Sequence, residues 1–298
     1  MRATIVEDKA GRADLVLTFH HILMDGRSVA KFIHELFEVM EAERNHRVAD
    51  LGPKPRQYSD YLLSCAEKNH EKSVEYFRKL LAGKRTPTAV PLAESVARPL
   101  ADTGYAEIKQ RCSSDVFARA RSLAELTQTT VGTVVQSMWG LVLSRYSGDQ
   151  DVVFGNTRAG RGAFGPDAAD MVGLFINTVA VRADVGDERT VKDLLQSLRE
   201  QSFAIRPHET IPLSSVLRAS EVEPGTPLFE TLLVFENKSL EEALVSLGGE
   251  KWNGRCYHSH QQPPFPLTLH VVDGAKPEFR ILFDRKRLSE SAVHRLLE

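Results

Sequence analysis

Two short extended patterns open the chain. Residues 2–7 and 13–20 flank the polar turn Asp8-Lys9-Ala10-Gly11-Arg12, which predicts a β-hairpin. The second run, Leu15-Val16-Leu17-Thr18-Phe19, leads straight into His20-His21. The period then changes. Val29, Phe32, Ile33, Leu36 and Phe37 recur at helical spacing, which predicts a helix over residues 28–43 with Ser28 as its N-cap. A Gly/Pro break at 52–55 precedes a helical region over 58–81.

Residues 83–103 are poor in large apolar groups and rich in breakers, so the division between domains is placed there, with residues 1–90 before it and 104–298 after it. Beyond the division a strand is predicted over 105–112 and a helix over 114–126. A second helix, over 131–146, is apolar nearly all round and so expected to be buried. Further strands are predicted at 152–154, 174–181, 232–235, 267–272 and 279–283, with a helix over 190–204 among them. Mixed helices and strands without a repeat indicate an α/β chain of two unequal parts.

Composition narrows the function classes. The 298 residues are 42% apolar and 26% charged, the proportions of a globular protein able to bury a sizeable core. A net charge of −2 and a pI near 6.6 give no basic footprint for nucleic acid. No apolar run approaches the roughly 18 residues of a membrane span, and the N-terminus has no signal-peptide core. The three cysteines, Cys65, Cys112 and Cys256, have neither metal-type spacing nor the look of a disulfide framework, which fits a reducing cytoplasm. No metal or bound cofactor is expected.

The chemistry concentrates in His20-His21-Ile22-Leu23-Met24-Asp25-Gly26. Histidine moves protons near neutral pH. Two adjacent histidines at a strand end are expected to point to opposite faces, one into a cleft and one into packing. Asp25 is placed to brace the following turn, and Gly26 to let the backbone turn tightly. A lone strand-end histidine is most often structural, but the full His-His-x-x-x-Asp-Gly string is far rarer than its parts.

That string resembles the signature of condensation domains of nonribosomal peptide synthetases, and further segments follow in the family's order. Tyr58-Ser59-Asp60-Tyr61 resembles a Tyr-x-Asp-Tyr segment. Residues 137–146 with Asp151-Val152-Val153-Phe154-Gly155 resemble the central helix and strand. Asn156-Thr157-Arg158-Ala159-Gly160-Arg161 is similar to the loop that ends this strand, and Val172-Gly173-Leu174-Phe175-Ile176-Asn177-Thr178 to the Gly-x-Phe-x-Asn-Thr motif. Pro227-Leu228-Phe229, Phe235-Glu236-Asn237 and Phe265-Pro266-Leu267-Thr268-Leu269 complete the series.

The resemblance implies a two-lobed chloramphenicol acetyltransferase-like α/β fold, with residues 1–90 forming an incomplete N-terminal lobe and 104–298 a C-terminal lobe. The Arg-His-Glu-x-Leu-Arg segment that precedes the motif in the family has no counterpart here, so Asp25 is expected to lack its arginine partner and to be solvated, protonated or otherwise paired. Arg27 stands where the family commonly has Trp. The implied reaction is amide formation between a donor thioester and an acceptor amine, both carried on phosphopantetheine arms of peptidyl carrier domains, with an adenylation domain adjacent. His21 is implied as the catalytic residue, either accepting the amine proton or hydrogen bonding to the tetrahedral species. His20, Asp25 and Gly26 are read as structural members of the motif, and Asn177 either as cleft-lining or as a strand-edge residue. Rival readings are a stand-alone thioester-dependent acyltransferase and a non-catalytic remnant that docks carrier domains; whether residues 1–298 act on their own is left open. Intact His-His and Asp-Gly argue against a cyclisation relative.

Overall fold

The computed structural model describes residues 1–68, 70–90 and 104–298. These fall into two compact units, neither continuous in sequence: unit 1 comprises Met1–Ala66, Phe164–Ile176 and Leu240–Cys256, and unit 2 comprises Glu67–Ala163, Asn177–Ser239 and Tyr257–Glu298. A single division at 83–103 therefore does not describe the packing. Two returning segments join unit 1, and residues 67–90 pack with unit 2; residues 91–103 lie outside the described residues.

Unit 1 begins with the hairpin β1 (Arg2–Glu7) and β2 (Ala13–Thr18), paired antiparallel with Arg2 opposite Thr18 and Glu7 opposite Ala13. Asp8 closes the turn by accepting the amides of Ala10 and Arg12. Helix α1 (Gly26–Arg44) follows, and α2 (Tyr58–Ala66) after it. The cap of α1 is Asp25, three residues before the Ser28 that its sequence favours. The predicted helix over 58–81 is two helices, α2 and α3 (Glu71–Leu80), the latter in unit 2. Helix α8 (Leu240–Gly248), given no element by the sequence pattern, packs along α1.

Beside this helix pair, Phe37 meets the edge of Trp252 at 5.6 Å and carries the Arg255 guanidinium over its face at 4.2 Å. The buried Glu38 carboxylate is paired with Arg47 at 2.6 Å and with Lys251 at 2.5 Å. Hydrogen bonds from Arg47 first, then from Lys251 and the Asp50 amide, hold its pKa down from 4.5 to about 2. The unfolded chain binds this proton more tightly than the folded one, so Glu38 stabilises above its ordinary pKa and the contribution is lost as pH falls from about 4.5 toward 2. Accordingly, Glu38→Gln is expected to lower the melting temperature at pH 7, with the gap to the parent narrowing by pH 3. Calorimetry across that range checks it; a gap independent of pH contradicts it.

Unit 2 is built on a mixed six-stranded sheet in the order β3-β8-β7-β6-β4-β5, made of β3 (Tyr105–Arg111), β4 (Asp151–Ala159), β5 (Ile176–Asp184), β6 (Thr231–Glu236), β7 (Leu267–Val272) and β8 (Glu278–Asp284). β5 starts at Ile176, the last residue counted with unit 1. β6 runs parallel to β4 and β7, whereas β8 is antiparallel to β7 and β3. Strand alternation puts Leu267, Leu269, Val271, Ile281 and Phe283 on one face. Against that core pack residues of α4 (Ser114–Leu126), α5 (Val131–Ser147), α6 (Val191–Ala204) and α9 (Glu290–Leu297).

β4 is buried on both faces: Val152 and Phe154 join this core, while Val153 joins a second cluster with Phe77 of α3 and Val216 of α7 (Leu213–Ala219). It also continues through Asn156–Ala159, where a loop was expected. Helix α5 is buried along Thr133, Val134, Trp139, Gly140 and Leu143, as its apolar surface predicts, with Met138 and Tyr146 exposed; it stops at Gly148, whose φ of 77° takes the left-handed C-cap conformation. Arg182 on β5 ties the sheet to the end of α3, chelating Asp151 at 2.7 and 2.8 Å and donating to the carbonyls of Leu80 and Ala82.

Candidate active site

β2 stops at Thr18, and the two motif histidines lie beyond it in a turn, so strand alternation does not separate them. A hydrogen bond does. The His20 Nδ1 accepts the Ile22 amide at 3.1 Å and caps a single turn of 3-10 helix, His21–Leu23. His21 opens that turn with an exposed side chain, and its carbonyl accepts the Met24 amide. Both side chains are exposed, and the His20 Nδ1 is committed to the backbone.

Asp25 is only 2% exposed. Its Oδ1 accepts the Ser28 amide at 2.9 Å, which makes it the N-cap of α1, and its Oδ2 accepts the Phe175 amide at 3.2 Å. Two amide donors and the dipole of the helix N-terminus both stabilise the buried carboxylate. The Asp25 amide in turn donates to the Gly173 carbonyl at 3.1 Å. Ser28, freed from capping, accepts the Gly173 amide at 3.0 Å and donates to the Gly173 carbonyl at 2.8 Å. The motif turn and the first turn of α1 are therefore fastened to the segment 173–175.

Tyr58, the first residue of α2, closes the other side by donating its hydroxyl to the Leu174 carbonyl. Its ring stacks on Tyr61 at 5.6 Å and meets Phe175 edge-on at 5.1 Å, within a small core that also holds Ala168 and Met171. The Tyr-x-Asp-Tyr and Gly-x-Phe-x-Asn-Thr segments thus meet behind the His-His motif. Sequence reading singled out Gly173 and Tyr58 as members of separate motifs but not as partners, and it gave Ser28 a local role instead of this long-range one.

Two expected site residues differ in what they do. Gly26 has no positive φ, and a Cβ added there meets nothing within 4 Å, so the turn itself makes no steric demand for glycine. Gly173 does: its added Cβ would lie 2.2–2.6 Å from three ring atoms of Tyr58. Asn177, in unit 2, donates its Nδ2 to the carbonyls of Glu209 and Ile211, both at 2.7 Å, and its Oδ1 accepts the Thr178 amide. Its amide is spent on backbone.

Two histidines of unit 2 are held toward the neutral form. Burial, then the nearby Arg280, pushes His270 down to about 3, and burial also lowers His208, which hydrogen bonds to Ser73 at 2.9 Å. Among the described residues, no three His, Cys, Asp or Glu side chains gather as metal ligands would, and no helix is long and apolar enough to cross a membrane.

The condensation-domain family model matches residues 1–298. The chain belongs to the condensation-domain family. It is 33% identical over 301 residues to a linear gramicidin synthase polypeptide of Brevibacillus parabrevis, covering 100% of the chain but 6% of that protein. It is 34% identical over 304 residues to a mycosubtilin synthase polypeptide of Bacillus subtilis, covering 99% of the chain and 11% of the relative. This condensation-family chain therefore spans a small part of the synthases that it matches. Among solved structures, the X-domain from teicoplanin biosynthesis superposes with a TM-score of 0.79 at 19% identity, covering 99% of this chain and 69% of that one. The first condensation domain of the calcium-dependent antibiotic synthetase, in complex with a substrate analogue, gives 0.69 at 18% identity, covering 99% and 66%. The mixed α/β fold is that of condensation and X-domains, the chloramphenicol acetyltransferase-like architecture.

Proposed function

We propose that this condensation domain forms an amide bond between a donor acyl or aminoacyl thioester and an acceptor aminoacyl group, each delivered on the phosphopantetheine arm of a carrier domain, with His21 as the catalytic residue. The observation that carries the reading is the arrangement of the motif. His20 and Asp25 hydrogen bond to the backbone that holds the turn, while His21 opens that turn beyond β2 with an exposed side chain.

The acceptor nitrogen attacks the thioester carbonyl carbon, and the carbonyl electron pair moves to oxygen. Collapse of this tetrahedral species breaks the C–S bond, releases the donor arm as a thiol and leaves the amide on the acceptor arm. An α-amino group has a pKa near 7.7–8.0, so holding it neutral at pH 7 costs about 1 kcal/mol. The harder requirement comes after attack, when the nitrogen turns strongly acidic and its proton must leave. His21 takes that proton and passes it to the departing sulfur, or hydrogen bonds to the charge that develops on oxygen.

The test is to mix the chain with a donor carrier and an acceptor carrier bearing different aminoacyl-phosphopantetheine arms. Intact-protein mass spectrometry is then expected to show the acceptor arm heavier by one donor residue. Carriers that bind but exchange nothing would overturn the catalytic reading in favour of docking alone.

A further inference from the structure

We infer that Tyr58 is a positioning residue for His21, acting through the Leu174 carbonyl and Asp25; the inference rests on the catalytic role proposed for His21. A chain of contacts within unit 1 links the two residues. Leu174 sits between the two peptide units that grip the motif: the Gly173 carbonyl accepts the Asp25 amide, and the Phe175 amide donates to the Asp25 carboxylate. The Tyr58 hydroxyl donates to the carbonyl of Leu174 itself. Asp25 directly follows the 3-10 turn that starts at His21 and its C-cap Met24, so a shift of the 173–175 segment reaches the residue next to the turn through one backbone hydrogen bond and one to the Asp25 carboxylate, itself held by the Ser28 amide.

The tyrosine is also well held. Tyr61 stacks on one side, Phe175 meets it edge-on, and Gly173 leaves the space that its ring fills. A core phenylalanine would serve equally well for packing alone. The hydroxyl, aimed at the carbonyl of the same peptide unit whose N–H donates to Asp25, is what packing does not explain. Misplacing a catalytic group by about 1 Å costs on the order of a hundredfold, so loss of this tether should register in turnover before it registers in folding.

Tyr58→Phe keeps the ring and removes only the hydroxyl. Tyr146→Phe is the matched control, because it removes a tyrosine hydroxyl that donates to the Arg295 carbonyl at 3.4 Å in unit 2. Three readouts are taken: kcat and KM for dipeptide formation between loaded carriers, the melting temperature, and the His21 ring resonance in a proton–carbon correlation spectrum. Tyr58→Phe is expected to lower kcat by about tenfold to a hundredfold at unchanged KM. Its melting point should fall by no more than about 2–4 °C and its His21 resonance should move or split, while Tyr146→Phe changes neither kcat nor the resonance. A Tyr58→Phe protein with an unmoved His21 resonance, or with kcat within twofold of the parent, overturns the inference. A displaced His21 resonance in a chain whose parent forms no dipeptide supports the positioning role and overturns the function proposed above instead.

Discussion

Gly173→Ala is expected to destabilise the protein by about 2–4 kcal/mol, a large share of the 5–15 kcal/mol that typically holds a domain folded. The added Cβ would lie 2.2 Å from one ring atom of Tyr58 and within 2.6 Å of two more. The half-buried ring is restrained: Tyr61 and Phe175 pack against it, and its hydroxyl is hydrogen bonded to the backbone that would push it. Overpacking of a filled core costs roughly 1–3 kcal/mol, and losing the tyrosine hydrogen bond adds about 1 kcal/mol. For a chain of this size that corresponds to a melting temperature lower by about 4–10 °C. A double-mutant cycle isolates the cause. Tyr58→Ala removes the obstacle, so the pair should cost at least about 1 kcal/mol less than the sum of the single changes. Strict additivity would show that the clash is relieved elsewhere.

The second large effect concerns turnover. His21→Ala removes an exposed ring of the motif and leaves in place the hydrogen bonds that hold the turn, which are made by His20, Asp25, Ser28 and the backbone. Stability should therefore change little while condensation falls by about 10²–10⁴-fold, the usual span for loss of a positioned acid or base. A His21→Ala protein that melts well below the parent would mean that the ring is structural.

Much of the fold was legible because local chemistry wrote it. Residues 114–126 carry Ser113 as cap and an amphipathic face, and α4 occupies that span. The hairpin needed only its polar turn, and β7 only its apolar run. What escaped was set by distant partners. Ser28 is a good capping residue, yet its hydroxyl serves a glycine 145 positions away, and Asp25 takes the cap. The apolar period through 58–81 could not show that α2 ends at Ala66, joining the core around Phe175 in unit 1, while α3 packs with unit 2. Likewise, nothing in the composition of residues 164–176 or 240–256 announces that they return to the unit begun by the hairpin. The site was legible as a set of motifs. The resemblance assigned His21 the catalytic role and His20 and Asp25 structural ones; what the residues alone did not show is the physical basis for the split, that the Ile22 amide donates to the His20 ring.

The central claim is that His21, not His20, carries the proton chemistry. Single-turnover transfer from a loaded donor carrier to a loaded acceptor carrier, followed by the mass of the acceptor arm, measures it directly when the parent is run beside His20→Ala and His21→Ala. His20→Ala loses the hydrogen bond that caps the His21 turn and should fall by about tenfold, a positioning loss, whereas His21→Ala should fall by at least about a hundredfold. Equal losses from the two variants, or the larger loss from His20→Ala, would contradict the account.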